Sequence, residues 1–78
     1  MKNGILVLNR VTDRYSINFD NGEYFELHCG DTFECSPELN DWIPVRIEYN
    51  DDWYLIDSGD NKITIFENMI VRKCDFGE

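Results

Sequence analysis

Ile43-Pro44-Val45-Arg46-Ile47-Glu48-Tyr49-Asn50-Asp51-Asp52-Trp53-Tyr54-Leu55-Ile56 decides how this chain folds. Ile43, Val45, Ile47 and Tyr49 alternate with Pro44, Arg46 and Glu48, a period of two rather than 3.6. A strand with that period turns one face to a core and the other to water. Asn50-Asp51-Asp52 interrupts it with turn-forming residues, and Trp53 to Ile56 reads as the returning strand of a hairpin.

The same pattern extends outward in both directions. Tyr15, Ile17 and Phe19 alternate with Ser16 and Asn18, and Phe25, Leu27 and Cys29 alternate with Glu26 and His28. Between them Asp20-Asn21-Gly22 is a hairpin signal, because Asn-Gly accepts the positive φ of a type I′ turn. Ile5 to Leu8 is a short continuous apolar run, as in a strand buried on both sides. Ile63 to Phe66 and Met69 to Lys73 read as further strands, with Ser58-Gly59-Asp60-Asn61 as punctuation before them. Gly30-Asp31 predicts a bend after Cys29. Ser36-Pro37-Glu38-Leu39-Asn40-Asp41 resembles a helix start capped by Ser36, but a helix begun at Asp31 would place Pro37 in its interior, at a cost of ~3 kcal/mol. The expectation is a strand through Cys35 and at most one helical turn at Pro37–Asn40. Five to seven short strands joined by tight turns make a mainly β fold, an antiparallel meander that curls into a small barrel. Seventy-eight residues hold one such domain, 1–78, with no room for a second core.

The charge is confined to the middle. From Tyr15 to Asn61 there are twelve Asp or Glu and one base, Arg46, which is −11; the ends carry four acids and six bases, +2, giving −9 in all. Such a field attracts basic partners and repels phosphate backbones, so direct nucleic-acid binding is not expected. No apolar run approaches the ~20 residues needed to span a bilayer, and the start lacks the apolar region of a signal peptide. The expected compartment is the cytoplasm.

Catalytic signatures are missing. The single histidine, His28, adjoins Cys29, but neighbours on a strand point to opposite faces, which argues against a dyad. No Gly-rich phosphate loop occurs. A metal reading has more support: His28, Cys29, Cys35 and Cys74 would supply one imidazole and three thiolates, a closed set for structural zinc. The competing reading is buried thiols acting as small apolar residues, favoured because Cys29 and Cys35 share the parity of Phe25, Leu27 and Phe33. The acids Glu23, Glu26, Asp31, Glu34, Glu38, Asp41, Asp51 and Asp52 are the candidate partner-binding set. Trp53 joins them as an aromatic anchor, since Trp is enriched at binding hot spots. Duplex DNA carries one negative charge per ~1.7 Å of axis. Eleven excess charges on a compact domain would approach that density and could occupy the basic groove of a nucleic-acid-binding protein. The alternative is a generic interaction or adaptor domain, zinc-stabilised or not, whose acidity serves only solubility.

At Leu27-His28-Cys29-Gly30-Asp31, Trp42-Ile43-Pro44-Val45-Arg46-Ile47-Glu48 and Asp52-Trp53-Tyr54-Leu55 the chain resembles a family of very small domains from Gram-positive bacteria and their mobile elements. Gly4-Ile5-Leu6-Val7 and Arg14-Tyr15 also fit. The resemblance implies a compact SH3-like β-barrel and transfers no catalytic residue, because no activity is established for the family. Cys29 matches the family motif; Cys35 does not, and the Ser36–Asp41 connection is longer here. Mobile elements encode small acidic inhibitors of host defence nucleases, anti-CRISPR proteins among them, and this chain is similar to them in size and charge. The resulting expectation is a non-enzymatic inhibitor that engages a basic protein surface, such as that of an RNA-guided nuclease.

Overall fold

The computed structural model describes residues 1–74. Eight antiparallel strands form one sheet: β1 (Lys2–Asn9), β2 (Arg14–Phe19), β3 (Tyr24–Glu26), β4 (Thr32–Cys35), β5 (Ile43–Asn50), β6 (Asp52–Asp57), β7 (Lys62–Ile63) and β8 (Ile70–Lys73). Their spatial order is β3-β2-β1-β8-β4-β5-β6-β7. Two meanders, β1–β3 and β4–β7, are thus joined edge to edge by the last strand. The mainly β expectation holds, with eight strands instead of five to seven. The surplus consists of very short pieces: β3 has three residues and β7 has two. Among the described residues there is no helix, and none is long and apolar enough to cross a membrane.

The alternation read from the sequence sets the core. Leu6, Ile17, Val45, Ile47, Leu55 and Val71 point to one side of the sheet and pack with Leu27, Phe33, Cys35 and Met69. In cross-strand register, Leu6 faces Ile17 and Ile47 faces Leu55. Burying each such side chain contributes roughly 1.5–3 kcal/mol. Pro44 is tolerated because its nitrogen points toward β6, which begins to pair only one residue later, at Val45–Asp57.

The reversals differ in detail from the expected chemistry. At Asp20-Asn21-Gly22 the Gly22 N–H donates to the Phe19 carbonyl and the Phe19 N–H to the Glu23 carbonyl, with Gly22 at φ 92°. That is a three-residue loop with a left-handed residue closing it, not a type I′ turn, and it needs positive φ only at the glycine. The β6–β7 loop repeats the pattern: Asp60 donates to Asp57, Asp57 donates to Asn61, and Asp60 takes the left-handed place at φ 63°. At the predicted bend, Asp31 N–H donates to the His28 carbonyl and Gly30 has φ 91°, the third position of a type II turn. Gly30 N–H then donates to the Ile47 carbonyl and Ile47 N–H to the Asp31 carbonyl, so two residues oppose one, a bulge. This turn ends β3 at Glu26 and carries Cys29 out of the core alternation. Ser36–Asp41 forms turns rather than a helix, closed by a Leu39 N–H bond to the Ser36 carbonyl.

Gly4 is required by close approach. It pairs with Phe19 on one side and Val71 on the other, and a Cβ added there would fall inside the contact radius of the Asn18 carbonyl oxygen. Gly4→Ala is expected to destabilise the fold by about 1–3 kcal/mol. Gly59→Ala, whose nearest neighbours would be side-chain atoms, should cost less. Urea unfolding of the two variants measures the difference; equal midpoints would remove the close-packing account of Gly4.

Candidate functional site

Three chain reversals meet at one mouth of the curled sheet. The β1–β2 turn brings Thr12, Asp13 and Arg14, the 28–31 turn brings Cys29, and β5 and β6 bring Tyr49 and Trp53. Together they line a depression of about 320 Å³. Trp53 is half-buried and packs against the core. Its indole N–H donates to the Asp13 carbonyl at 2.8 Å, which pins the β5–β6 hairpin onto the β1–β2 turn. The rings of Tyr49 and Trp53 meet edge to face, with centroids 4.9 Å apart at 71°. Trp53 is therefore a clamp, and Tyr49 is the exposed ring of the pair. Tyr54, on the opposite face of β6, lies under the Lys62 ammonium at 4.6 Å.

Carboxylates rim this mouth. Asp51 occupies the hairpin tip at φ 68° and Asp13 the end of the β1–β2 turn at φ 59°. Asp52 accepts the N–H of Trp53 at 2.8 Å. Tyr15 registers the local field: its phenol is pushed up by burial first and then by the Asp52 carboxylate, with Asp13 and Glu67 adding and Arg10 opposing. Asp31 adjoins through the 28–31 turn, where it accepts the His28 N–H at 2.8 Å. The His28 imidazole stands 3.8 Å from Glu26 and 3.9 Å from Asp31.

The structure thus brings Asp31, Asp51, Asp52 and Trp53 to the mouth or beside it, while Glu26 lies on the β3 edge and lines a separate shallow cleft with Arg14 and Tyr24. The other expected residues lie elsewhere. Glu23 pairs with Lys2 at the β2–β3 hairpin, and that bond holds its carboxyl below the usual range. Glu34 sits on the outer face of β4, paired with Arg72, which stacks over Trp42 at 4.3 Å. Glu38 and Asp41 are exposed in the connection between β4 and β5. Asp13 and Tyr49 were not singled out as contacts. Asp13 lies outside the acid-rich window, and the alternation of β5 placed Tyr49 inward without showing that its strand outruns the core.

Turn chemistry explains much of the aspartate content. Asp31 and Asp52 accept backbone N–H bonds. Asp57 accepts those of Gly59 and Asn61, and the Asn61 bond is the main cause of its lowered carboxyl pKa. Asp13, Asp51 and Asp60 take left-handed conformations, which short polar side chains tolerate. Asparagine would serve at each of these places. The charge itself is left unexplained by the fold: the Lys and Arg ion pairs among the described residues engage Glu23, Glu34 and Glu48, and none engages a rim carboxylate.

The four candidate zinc ligands are not gathered. Cys29 is exposed in its turn, Cys35 is sealed in the core, and Cys74 is half-buried. Cys74 lines a groove of about 370 Å³ with Arg46 and Arg72. Among the described residues no group of three or more His, Cys, Asp or Glu is placed to hold a metal ion. The buried-thiol reading fits Cys35, whose pKa burial pushes up to about 11, and fails for Cys29. With alkylating reagent at pH 7, Cys29 should react first and Cys35 only after unfolding. Native labelling of Cys35 at the rate of Cys29 would contradict the packing described.

Fold and site together define a small antiparallel β module with an acid-rimmed aromatic mouth. Within that class the chain belongs to the DUF5348 family, a domain of unknown function, whose pattern matches residues 4–73. Among solved structures it is similar to a protein from Ruminococcus gnavus determined as a structural-genomics target. The two are 36% identical over 91% of this chain and 99% of that one, with a TM-score of 0.76. No curated protein matches the chain.

Proposed function

We propose that this protein is a non-enzymatic binding module whose acid-rimmed mouth engages a basic protein surface. The observation that carries the reading is the set of rim carboxylates Asp13, Asp31, Asp51 and Asp52. They stand at turn positions that need only an acceptor oxygen or a short polar side chain, yet each brings a charge that no Lys or Arg pairs among the described residues. Opposed to Lys and Arg of a partner, they would steer encounter and form charge-assisted hydrogen bonds. Tyr49 adds an exposed aromatic contact at the centre of the rim. In its most concrete form the partner is a nucleic-acid-binding enzyme, such as an RNA-guided nuclease, and the protein inhibits it by occupying the groove that takes phosphates.

The test compares the wild type with the Asp13→Asn, Asp31→Asn, Asp51→Asn, Asp52→Asn variant, both immobilised and challenged with bacterial lysate. The wild type should retain a nucleic-acid-binding protein that elutes only at raised salt and is displaced by added DNA or RNA. The variant should bind it at least about tenfold more weakly, the scale set by losing several charged contacts. The isolated partner should lose its nucleic-acid activity on adding wild type and not on adding the variant. Equal retention by both proteins would overturn the reading.

A further inference from the structure

The sheet has two open edges, and they are built differently. β7 is two residues long and carries Lys62, whose charge discourages strand addition. β3, Tyr24-Phe25-Glu26, has no Lys or Pro, and all three of its residues are exposed, Tyr24 at 73% and Phe25 at 40%. Its register fixes which backbone groups are free. Leu27 donates to the Tyr15 carbonyl and Phe19 to the Glu23 carbonyl, so the bonded pairs of the β2–β3 ladder are Tyr15–Leu27, Ile17–Phe25 and Phe19–Glu23. The intervening residues Tyr24 and Glu26 therefore turn both N–H and C=O away from β2, to the open edge.

We propose that β3 is a self-association edge, on which the β3 of a second copy of this chain pairs antiparallel about a two-fold axis at Phe25. In that register Tyr24 of each copy lies opposite Glu26 of the other. The two free N–H and two free C=O groups of each strand then find four hydrogen bonds in all. The same alignment sets each Tyr24 hydroxyl beside a Glu26 carboxylate on the outer face, a donor against an acceptor, twice. The two Phe25 rings meet at the axis. The symmetry is isologous and closes at two, leaving no further edge of this kind.

Charge does not oppose the contact at this place, although the chain as a whole is at −9. Glu23 is paired with Lys2, the Lys73 ammonium lies 5.2 Å from the Phe25 ring, and Arg14 lines the same shallow cleft as Tyr24 and Glu26. The unpaired carboxylates of the mouth belong to other connections. The inference is independent of the function proposed above.

Sedimentation and amide NMR shifts test it across about 0.02 to 2 mM protein, the range in which a three-residue interface of small area associates. The average mass should rise toward twice the monomer, and the Tyr24 and Glu26 amides should shift most. Tyr24→Pro removes an edge donor without touching the β2–β3 ladder and should abolish the concentration dependence while the protein stays folded. Glu26→Pro, whose N–H also points outward, serves if the first variant unfolds. A wild type that remains monomeric at the top concentration overturns the proposal, as does association that survives in the folded proline variant or shifts other amides instead. If a wild type that stays monomeric shifts its Tyr24 and Glu26 amides on adding an unrelated extended peptide, the edge belongs to a foreign strand and the two-fold pairing is wrong.

Discussion

The pairing of β8 with both β1 and β4 holds this structure together. Without it the chain is two separate meanders, each with one apolar face and neither with anything to cover it. Val71 stands at the junction, fully buried, opposite Gly4 on β1 and Cys35 on β4. The contact joins strands far apart in sequence, so its loop-closure cost must be met by burial around it. Leu6, Cys35, Met69 and Val71, none of them exposed to solvent, supply that burial. Gly4 makes it possible by letting the Asn18 carbonyl approach, and Arg72, one residue along, ties the outer face through Glu34 and Trp42.

Curling the joined sheet brings its hairpins to the surface as a ring of tight turns. Left-handed residues are needed at these turns, and short polar side chains or glycine fill them at all but one. Leu39, at φ 67° and 74% exposed, is the exception, and nothing in the structure explains it. The acid content follows partly from this demand and exceeds it. Where a turn needs an acceptor or a left-handed residue, this chain repeatedly uses aspartate. Lys2, Arg46, Lys62, Arg72 and Lys73 lie on strands, paired with other acids or set against aromatic rings, whereas Arg10 and Arg14 stand near the mouth without an ion pair to its carboxylates among the described residues. The result is a surface whose negative charge is concentrated in its connections, with one aromatic depression among them.

Most of the fold was legible because period-two alternation is unambiguous in β2 and β5, and the hairpin at Asn50–Asp52, with β6 as its returning strand, followed from composition. The illegible parts share a cause: alternation continues through a bulge on paper but not in space. Cys29 keeps the parity of Leu27, yet the left-handed Gly30 ends that strand three residues earlier and turns the thiol outward. Phe25 also has core parity, but an edge strand leaves its ring half in water. The mouth was legible only in part. Asp51, Asp52 and Trp53 are neighbours in sequence, whereas Asp13 and Cys29 arrive through long-range pairing that no local pattern reveals. Whether Trp53 or Tyr49 meets solvent depends on the indole bond to the Asp13 carbonyl, a contact forty residues apart.

The fold uses Asp31 and Asp52 as hydrogen-bond acceptors and Asp13 and Asp51 as short left-handed residues, and does not need the charge of any of the four. Thermal unfolding of the Asp13→Asn, Asp31→Asn, Asp51→Asn, Asp52→Asn variant at low ionic strength tests it most directly. Asn keeps the acceptors and the left-handed tolerance and removes like-charge repulsion, so the account predicts a midpoint equal to or above that of the wild type. A midpoint lower by several degrees, about the effect of 1 kcal/mol in a domain of this size, would mean that the charges serve the fold and would contradict the claim.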